Sequence, residues 1–96
     1  MDHTFFALSD PTRRTILLSL AEGEKTVAQL AEPLDISLPG VSKHLRVLEQ
    51  AGLIKQERQG RSRLCRLVAE PLKEAASFVE KYRQFWETQL DKLNET

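Results

Sequence analysis

The sequence contains a single cysteine, Cys65, so no disulfide can form within the chain. It also lacks any apolar run long enough to cross a bilayer, and it has no internal repeats or low-complexity segments. The first ten residues, MDHTFFALSD, do not combine the basic start and the long apolar stretch of a signal peptide. We therefore expect a cytoplasmic protein that has no membrane partner.

Side-chain combinations that support catalysis or metal binding are also missing. No nucleophile with a nearby base, no carboxylate pair in a plausible pocket and no phosphate-binding glycine loop can be found, so we expect no enzymatic activity. One cysteine and two separated histidines, His3 and His44, do not supply the thiolate or imidazole clusters that soft and borderline metals need. We expect neither a metal nor another cofactor. Cys65 is predicted to be a small buried apolar residue of a strand, and redox sensing is the less favoured alternative.

The formal net charge of the 96 residues is zero, but the charges are unevenly distributed. Residues 37–66 hold seven basic and two acidic side chains, a net charge of +5, whereas the rest of the chain holds seven basic and twelve acidic ones, a net charge of −5. A basic middle third is typical of polyanion binding, although a basic stretch alone is often only a solvated face. The length allows one domain, residues 1–96, with a thin core.

The first half of the chain predicts three short helices after an apolar opening at Thr4 to Leu8. "SDP" starts the first of them, with Ser9 or Asp10 as the N-cap and Pro11 at the first helical position. This helix is predicted to run to about Ala21, with Ile16, Leu17 and Leu20 facing inward and Arg13 and Arg14 facing out.

"TVAQ" is a capping box that predicts a second helix over Val27 to Leu34, weakened near its end by Pro33. A tight turn at residues 35–37 leads into the third helix, which ends at Ala51 and Gly52. Its inner stripe is Val41, Leu45 and Leu48. The polar opposite side is formed by Lys43, Arg46 and Gln50 together with Pro39, and Ser42 lies at its margin.

The opening of this third helix is unusual, because helix interiors avoid the residue types found at Ser37, Pro39 and Gly40. Ser37 can cap the free amides, Pro39 costs nothing in a first turn, and Gly40 removes bulk. A slim first turn would let a helix approach the base edges in the DNA major groove, which is about 12 Å wide. Ser42, Lys43 and Arg46 are then predicted to contact bases or phosphates.

The last third predicts a hairpin and a long helix. "LIKQERQGRSRLCRLV" alternates loosely around a turn at Gly60, and Arg58, Arg61 and Arg63 near its tip could hold the DNA backbone or minor groove. The final helix is predicted from Pro71 to about Leu93. It carries more apolar surface than a small domain can cover, so we expect it to pair with a second copy. The predicted dimer interface comprises Phe5, Phe6, Phe78, Val79, Tyr82, Phe85, Trp86 and Leu90.

Two helices joined by a short turn, the second with a basic face and followed by a basic hairpin, predict a winged helix-turn-helix that binds DNA. The alternatives are a core helix with a solvated back and a winged-helix module that binds proteins instead of DNA. "SDPTRR" followed by "VSKHLRVLEQAGLI" resembles the ArsR-type winged-helix transcriptional repressors, and the resemblance covers nearly the whole chain.

This resemblance implies a mainly α fold with a small β-hairpin, in the order α-α-α-α-β-β-α, and a homodimer that represses transcription by covering a promoter. By the same resemblance, recognition positions fall on Leu38, Gly40, Ser42 and Lys43, and the wing falls on residues 58–63. The candidate recognition helix thus comprises Ser37, Leu38, Pro39, Gly40, Ser42, Lys43, His44 and Arg46, and the candidate wing comprises Arg58, Gln59, Gly60, Arg61, Ser62 and Arg63. Two-fold symmetry implies a near-palindromic operator.

The sequence departs from the metal-sensing members of that family. "TVAQLA" stands where those members carry paired cysteines, and the last helix has no histidine. The resemblance is therefore to a branch that senses no metal, and any inducer is unknown. His44 lies on the flank of the recognition helix, where packing or hydrogen bonding is favoured over metal ligation.

Overall fold

The computed structural model describes residues 1–94, and over those residues it confirms a mainly helical fold with a small antiparallel sheet. The helices and strands follow one another in the order expected for a winged helix-turn-helix, with one additional short strand. The elements are α1 Asp2–Leu8, α2 Pro11–Ala21, β1 Lys25–Thr26, α3 Val27–Ala31, α4 Leu38–Gln50, β2 Ile54–Gln59, β3 Ser62–Leu67 and α5 Glu70–Leu93.

The first two predicted helix starts are present as capped N-termini. Asp10, rather than Ser9, caps α2: its carboxylate accepts a hydrogen bond from the Arg13 amide at 3.0 Å. At the start of α3, the Thr26 hydroxyl accepts from the Gln29 amide at 3.1 Å, and the Gln29 side chain accepts from the Thr26 amide at 2.8 Å. The capping box predicted from "TVAQ" is therefore confirmed.

The predicted end of α3 is wrong by one turn, since the helix ends at Ala31 and not at Leu34. Pro33 has no amide hydrogen to donate to the carbonyl of Gln29, so the helical ladder cannot continue through it. The Leu34 amide instead bonds to the carbonyl of Ala31 at 2.9 Å, which closes a turn. The connection to α4 therefore spans residues 32–37 and is twice as long as the predicted turn at residues 35–37.

The sheet has three strands in the order β1-β3-β2, whereas the sequence predicted only the β2–β3 hairpin. The added strand β1 has two residues, with Lys25 opposite Cys65 and Thr26 opposite Leu64. Since Thr26 also caps α3, this pairing fixes the base of the hairpin to the start of the helix-turn-helix. The hairpin is thus held at a defined position beside α4.

A single apolar core joins α1 to α4 with the sheet. The inner stripe of α4 is confirmed, because Val41, Leu45 and Leu48 are fully buried. Cys65 is fully buried as predicted, and burial raises the pKa of its thiol, which keeps it protonated and unreactive. The core residues are Ala7, Ile16, Leu17, Leu20, Leu30, Val41, Leu45, Leu48, Leu53, Ile54 and Cys65.

The predicted orientation of Arg13 is wrong, whereas Arg14 faces solvent as predicted. Arg13 is only 8% exposed, and its guanidinium donates to the carbonyls of Phe6 and Ala7 at 2.9 and 2.8 Å. These are carbonyls of the last turn of α1, where the regular helical hydrogen bonds end, and the Phe6 carbonyl also accepts from the Ser9 amide at 3.1 Å. The end of α1 therefore provides acceptors for a cation from α2.

Candidate nucleic-acid interface

The first turn of α4 is capped at its start and open to solvent. The Ser37 hydroxyl accepts a hydrogen bond from the Gly40 amide at 3.2 Å, and Pro39 stands in the first turn, where a missing donor has no cost. Leu38 is 59% exposed although it is apolar. An exposed leucine beside the helix N-terminus offers apolar contact on a small surface.

The fold itself does not require glycine at position 40. A Cβ atom built there would lie 3.4 Å from Ser37 Oγ and 3.8 Å from two Ile36 side-chain atoms, which are ordinary van der Waals separations. The backbone of Gly40 is helical, a conformation that any residue can adopt. Neither packing nor backbone conformation therefore explains the choice of glycine at this position.

The polar side of α4 presents cations to solvent. Lys43 and Arg46 are exposed, while Ser42 is half-buried at the margin, as the helical spacing predicted. The helix N-terminus contributes a partial positive charge of its own, which favours a nearby anion. The first turns of α4 thus have the electrostatic character of a phosphate-contacting surface.

The hairpin tip, which we call the wing (residues 58–63), concentrates like charges. Gly60 adopts a φ of 59°, the left-handed conformation that a two-residue turn requires. Arg58 lies directly opposite Arg63, and Arg61 occupies the turn itself. Like charges directly opposite each other destabilise a strand pair, so this arrangement is unfavourable for the isolated hairpin.

A hydrogen bond joins the wing to α4. The Arg63 guanidinium donates through Nη2 to Ser42 Oγ at 3.2 Å, although the two residues are 21 positions apart in sequence. The face of the hairpin that carries Arg58 and Arg63 continues the face of Cys65 and Ile54, which packs on the core. The two predicted sets of residues therefore meet on one side of the molecule.

A shallow groove lies between the wing and the start of the helix-turn-helix. It is lined by Thr26, Val27, Ala28, Leu38, Arg61, Ser62 and Arg63. Its walls combine guanidinium groups with the exposed leucine of α4. The groove thus places Leu38, a predicted recognition position, beside three of the predicted wing positions.

Whereas Ser42 contacts the wing, the side chain of His44 contacts α2. Its Nδ1 lies 3.3 Å from Nη1 of Arg13 and 3.9 Å from Oδ2 of Asp10, and its side chain is 24% exposed. The hydrogen-bonding role favoured from the sequence is confirmed by this contact. The hydrogen bond from the Arg13 amide holds the pKa of Asp10 below its ordinary value, and the positive charge of Arg13 lowers it further.

The partner of His44 was missed in the sequence, although a signal was present. Arg13 precedes Ile16, Leu17 and Leu20 at the spacing i, i+3, i+4, i+7, which places it on the inner stripe of α2. Its charge suggested solvent exposure. Helical spacing was the better guide, because carbonyls and an imidazole were available to accept from the buried guanidinium.

The residues predicted for pairing with a second copy remain uncovered along most of α5. Phe5 and Phe78 pack together at a centroid distance of 5.9 Å, and Phe78 lies 4.5 Å from Tyr82, so α1 contacts the first half of α5. Phe6 is 62% exposed. The remaining predicted residues are each at least half exposed: Val79, Tyr82, Phe85, Trp86 and Leu90.

Neither a metal centre nor a membrane span is found in the part of the chain that the structure describes. Over residues 1–94, no three His, Cys, Asp or Glu side chains converge as metal ligands would. Within the same residues, no helix combines the length and the apolar character needed to cross a bilayer.

Comparison with known proteins identifies this architecture. Residues 10–56, from the cap of α2 into β2, match the family described as bacterial regulatory protein, arsR family. The chain is 47% identical over 60 residues to the transcriptional repressor SdpR of Bacillus subtilis, covering 62% of this chain and 67% of SdpR. It is 43% identical over 61 residues to the HTH-type transcriptional repressor SmtB of Mycobacterium tuberculosis, covering 64% of this chain and 45% of SmtB.

The solved structures agree with the sequence matches. A crystal structure of an ArsR family transcriptional regulator superposes with a TM-score of 0.83 at 40% identity, covering 90% of this chain and 94% of that one. The similarity therefore includes the hairpin and α5 as well as the helix-turn-helix. The chain belongs to the ArsR family of bacterial regulatory proteins, a family of DNA-binding transcriptional regulators and not of enzymes.

Proposed function

We propose that the chain is a dimeric, sequence-specific repressor that acts in the cytoplasm by covering a promoter. One observation carries this proposal: the slim first turn of α4 and the arginine-bearing wing lie on one side of the molecule, joined by the hydrogen bond from Arg63 to Ser42. A winged helix that meets a duplex needs both groups on the same side. The proposal includes no cofactor and no specified inducer.

The residues of the proposed surface divide by role. Residues of the first turns of α4 would contact base edges, with Leu38 suited to a thymine methyl group and Lys43 to guanine. Arg58, Arg61 and Arg63 would hold phosphates, which supply affinity without sequence choice. His44 belongs to the same helix, but its contact with Arg13 suits it to holding the helix in place.

The dimer in this proposal is supported by a stripe along α5. Seven apolar positions of α5 form this stripe: at about 100° of rotation per residue, they lie within about 80° of one another around the helix axis. The N-terminal part of the stripe packs on the domain, since Ala75 is buried and Leu72 contacts the core, whereas the C-terminal part is exposed. The stripe consists of Leu72, Ala75, Val79, Tyr82, Trp86, Leu90 and Leu93.

Such a continuous seam is suited to a matching helix from a second copy, together with Phe5 and Phe6 of α1. Two-fold pairing would place two recognition helices about 34 to 36 Å apart, one turn of DNA, and would require a near-palindromic operator.

The test is a mobility-shift titration against the duplex upstream of the chain's own gene, with unrelated duplex as competitor. We expect preferential binding to the upstream duplex, whereas equal affinity for both would remove sequence specificity. Arg61→Ala should weaken binding to every duplex and lower the salt slope by about 0.9, the value for one lost phosphate contact. Lys43→Ala should instead change the ranking of operator variants. Absence of salt-sensitive binding to any duplex would favour the alternative of a protein-interaction module.

A further inference from the structure

We propose that Arg13 is a positioning residue for the DNA-contacting helix, acting by linking the end of α1 to His44 of α4. The inference rests on the proposed function for its consequence in DNA binding, but the link itself is a feature of the free protein. Neither Arg13 nor its side of α2 belongs to the proposed DNA surface. Arg13 therefore acts through His44 and not by contact with a base or a phosphate.

The geometry of Arg13 uses the planar shape of the guanidinium. Nε donates to the Ala7 carbonyl at 2.8 Å, Nη2 donates to the Phe6 carbonyl at 2.9 Å, and Nη1 lies 3.3 Å from His44 Nδ1. All three nitrogen atoms are therefore engaged, two with α1 and one with α4. A lysine has one compact ammonium group and cannot reproduce this fork.

The contact also fixes the state of the histidine ring. Because the guanidinium can only donate, Nδ1 must be the acceptor, so in the neutral ring the hydrogen is on Nε2. The carboxylate of Asp10 is 3.9 Å from the same Nδ1 but is already engaged by the Arg13 amide at 3.0 Å. Arg13 is thus the principal polar partner of His44.

The position of His44 gives this contact its importance. It follows Lys43 and lies one turn after Gly40, so its side chain joins the DNA-contacting turns of α4 to α2, whereas Ser42 joins them to the wing. The buried inner stripe of α4 sets which face of the helix points to the core. A directional hydrogen bond to a buried cation adds a polar constraint on the same orientation, next to the DNA-contacting turns.

The same arginine also connects α4 to the proposed dimer surface. Phe6, which belongs to that surface, accepts a hydrogen bond from Arg13 and has the guanidinium over its ring at 5.2 Å from the centroid. Helix α1 contacts both α4 and α5. Burial of Phe6 against a second copy would therefore order Arg13 and, through it, His44.

The experiment compares two replacements of His44 that each keep one ring nitrogen position. Asparagine places an amide near the position of Nδ1 and leaves the position of Nε2 empty, whereas glutamine does the reverse. We expect His44→Asn to bind the upstream duplex within about threefold of the original protein. We expect His44→Gln to bind it about tenfold or more weakly, the loss expected for one hydrogen bond to a charged group.

Helix propensity cannot produce this ranking, because glutamine favours helices more than asparagine does. A direct base contact through Nε2 would give the opposite ranking. The inference is overturned if the glutamine variant binds as well as the original protein, or if the asparagine variant loses as much affinity as the glutamine variant.

Arg13→Lys and Arg14→Lys form a matched pair. Arg14 is exposed and makes one hydrogen bond, to the Leu8 carbonyl at 2.8 Å, so its replacement should leave affinity unchanged. Arg13→Lys should lower affinity to the level of His44→Gln. Circular dichroism and sedimentation at the assay temperature establish that every variant is folded and has the assembly state of the original protein, so a loss of folding is separated from a loss of positioning.

A second measurement does not depend on DNA. Amide hydrogen exchange in the first two turns of α4 should be faster in Arg13→Lys and His44→Gln than in the original protein and in His44→Asn, because those turns open more readily. If the original protein binds no duplex, the proposed function fails while this exchange pattern still tests the link. Equal exchange in all four proteins would refute the link even if DNA binding is confirmed.

Discussion

Asp10 is the residue whose charge most directly supports a helix start. Its carboxylate caps α2, and its pKa is lowered chiefly by the hydrogen bond from the Arg13 amide. A carboxyl group whose folded pKa is lowered stabilises the fold fully above its unfolded pKa of about 3.9. That contribution is lost as the pH falls through the lower pKa of the folded state.

We therefore expect Asp10→Ala to lower the free energy of unfolding by about 1 kcal/mol at pH 7, a typical value for a lost cap. The difference between the two proteins should shrink as the pH falls below about 4, where the original cap becomes protonated. Urea unfolding at pH 7 and pH 3 measures it. Asp10→Asn is the control, since asparagine caps without titrating. A difference between Asp10→Ala and the original protein that does not change with pH would contradict this role.

Gly40 separates the demands of folding from those of binding. An added methyl group would fit there within ordinary contact distances and alanine favours the helix, so we expect Gly40→Ala to keep or raise the free energy of unfolding, by at most about 1 kcal/mol. Affinity for the upstream duplex should fall about fivefold or more, comparable to losing one base contact. Thermal unfolding and mobility shifts on the same samples test both parts. An alanine variant with unchanged affinity would show that this turn does not approach DNA closely.

In the hairpin, too, stability and DNA binding place opposite demands on the sequence, because Arg58 faces Arg63 across the two strands. We expect Arg58→Thr to raise the free energy of unfolding by about 0.2–1 kcal/mol, since it removes a repulsive pair and threonine favours strands. It should also weaken DNA binding and lower the salt slope by about 0.9.

Arg66→Thr is the matched control for the wing. Arg66 faces Lys55 across the same hairpin, but on the opposite face and away from the tip. It should bring a similar gain in stability while the salt slope of DNA binding stays unchanged. Equal losses of binding in the two variants would mean that general positive charge, and not the wing, attracts the duplex.

A helix start or a buried helix face could be predicted from the sequence where residues close together in the chain determine it. The caps at Asp10 and Thr26 and the inner stripe of α4 depend on neighbouring residues, and all three are confirmed. Strand β1 depends on pairing with residues about 40 positions away, and two residues give no periodicity to recognise. The early end of α3 follows from Pro33, whose effect was recognised but placed one turn too late.

The candidate site was predictable to the same extent. The composition of the recognition helix and of the wing could be predicted because each lies in one continuous segment. The hydrogen bond between Arg63 and Ser42 and the one between Arg13 and His44 could not, because each joins distant segments. Only the folded chain shows that Ser42 and His44, two residues apart, are held by different elements.

At the scale of the whole molecule, α5 determines the shape. The domain measures 63 × 26 × 22 Å, and α5 has 24 residues and a length of about 36 Å. Its exposed face is also organised by ion pairs, since Arg83 contacts Glu80 at 2.7 Å and Glu87 at 2.8 Å. These pairs lower the pKa of Glu80 and raise that of Arg83, and they keep the polar side of α5 helical without a covering layer.

Trp86, which is 53% exposed, is the residue of choice for testing the proposed pairing. We expect Trp86→Glu to convert a dimer into a monomer, because burying an unpaired carboxylate in an apolar seam is strongly unfavourable. Thr88→Glu, on the opposite side of α5, should remain dimeric. Sedimentation at micromolar concentration distinguishes the two. A monomeric original protein, or a dimeric Trp86→Glu variant, would contradict the seam.

The uncovered half of α5 has a consequence for dosage. If each copy completes its apolar seam only with another copy, then at low abundance the amount of assembled regulator rises with the square of the amount of chain. Halving expression would then leave about a quarter of the operator-competent species, by mass action. The expression of a gene under its control would therefore respond more than proportionally to modest changes in the amount of regulator, with no small-molecule signal involved.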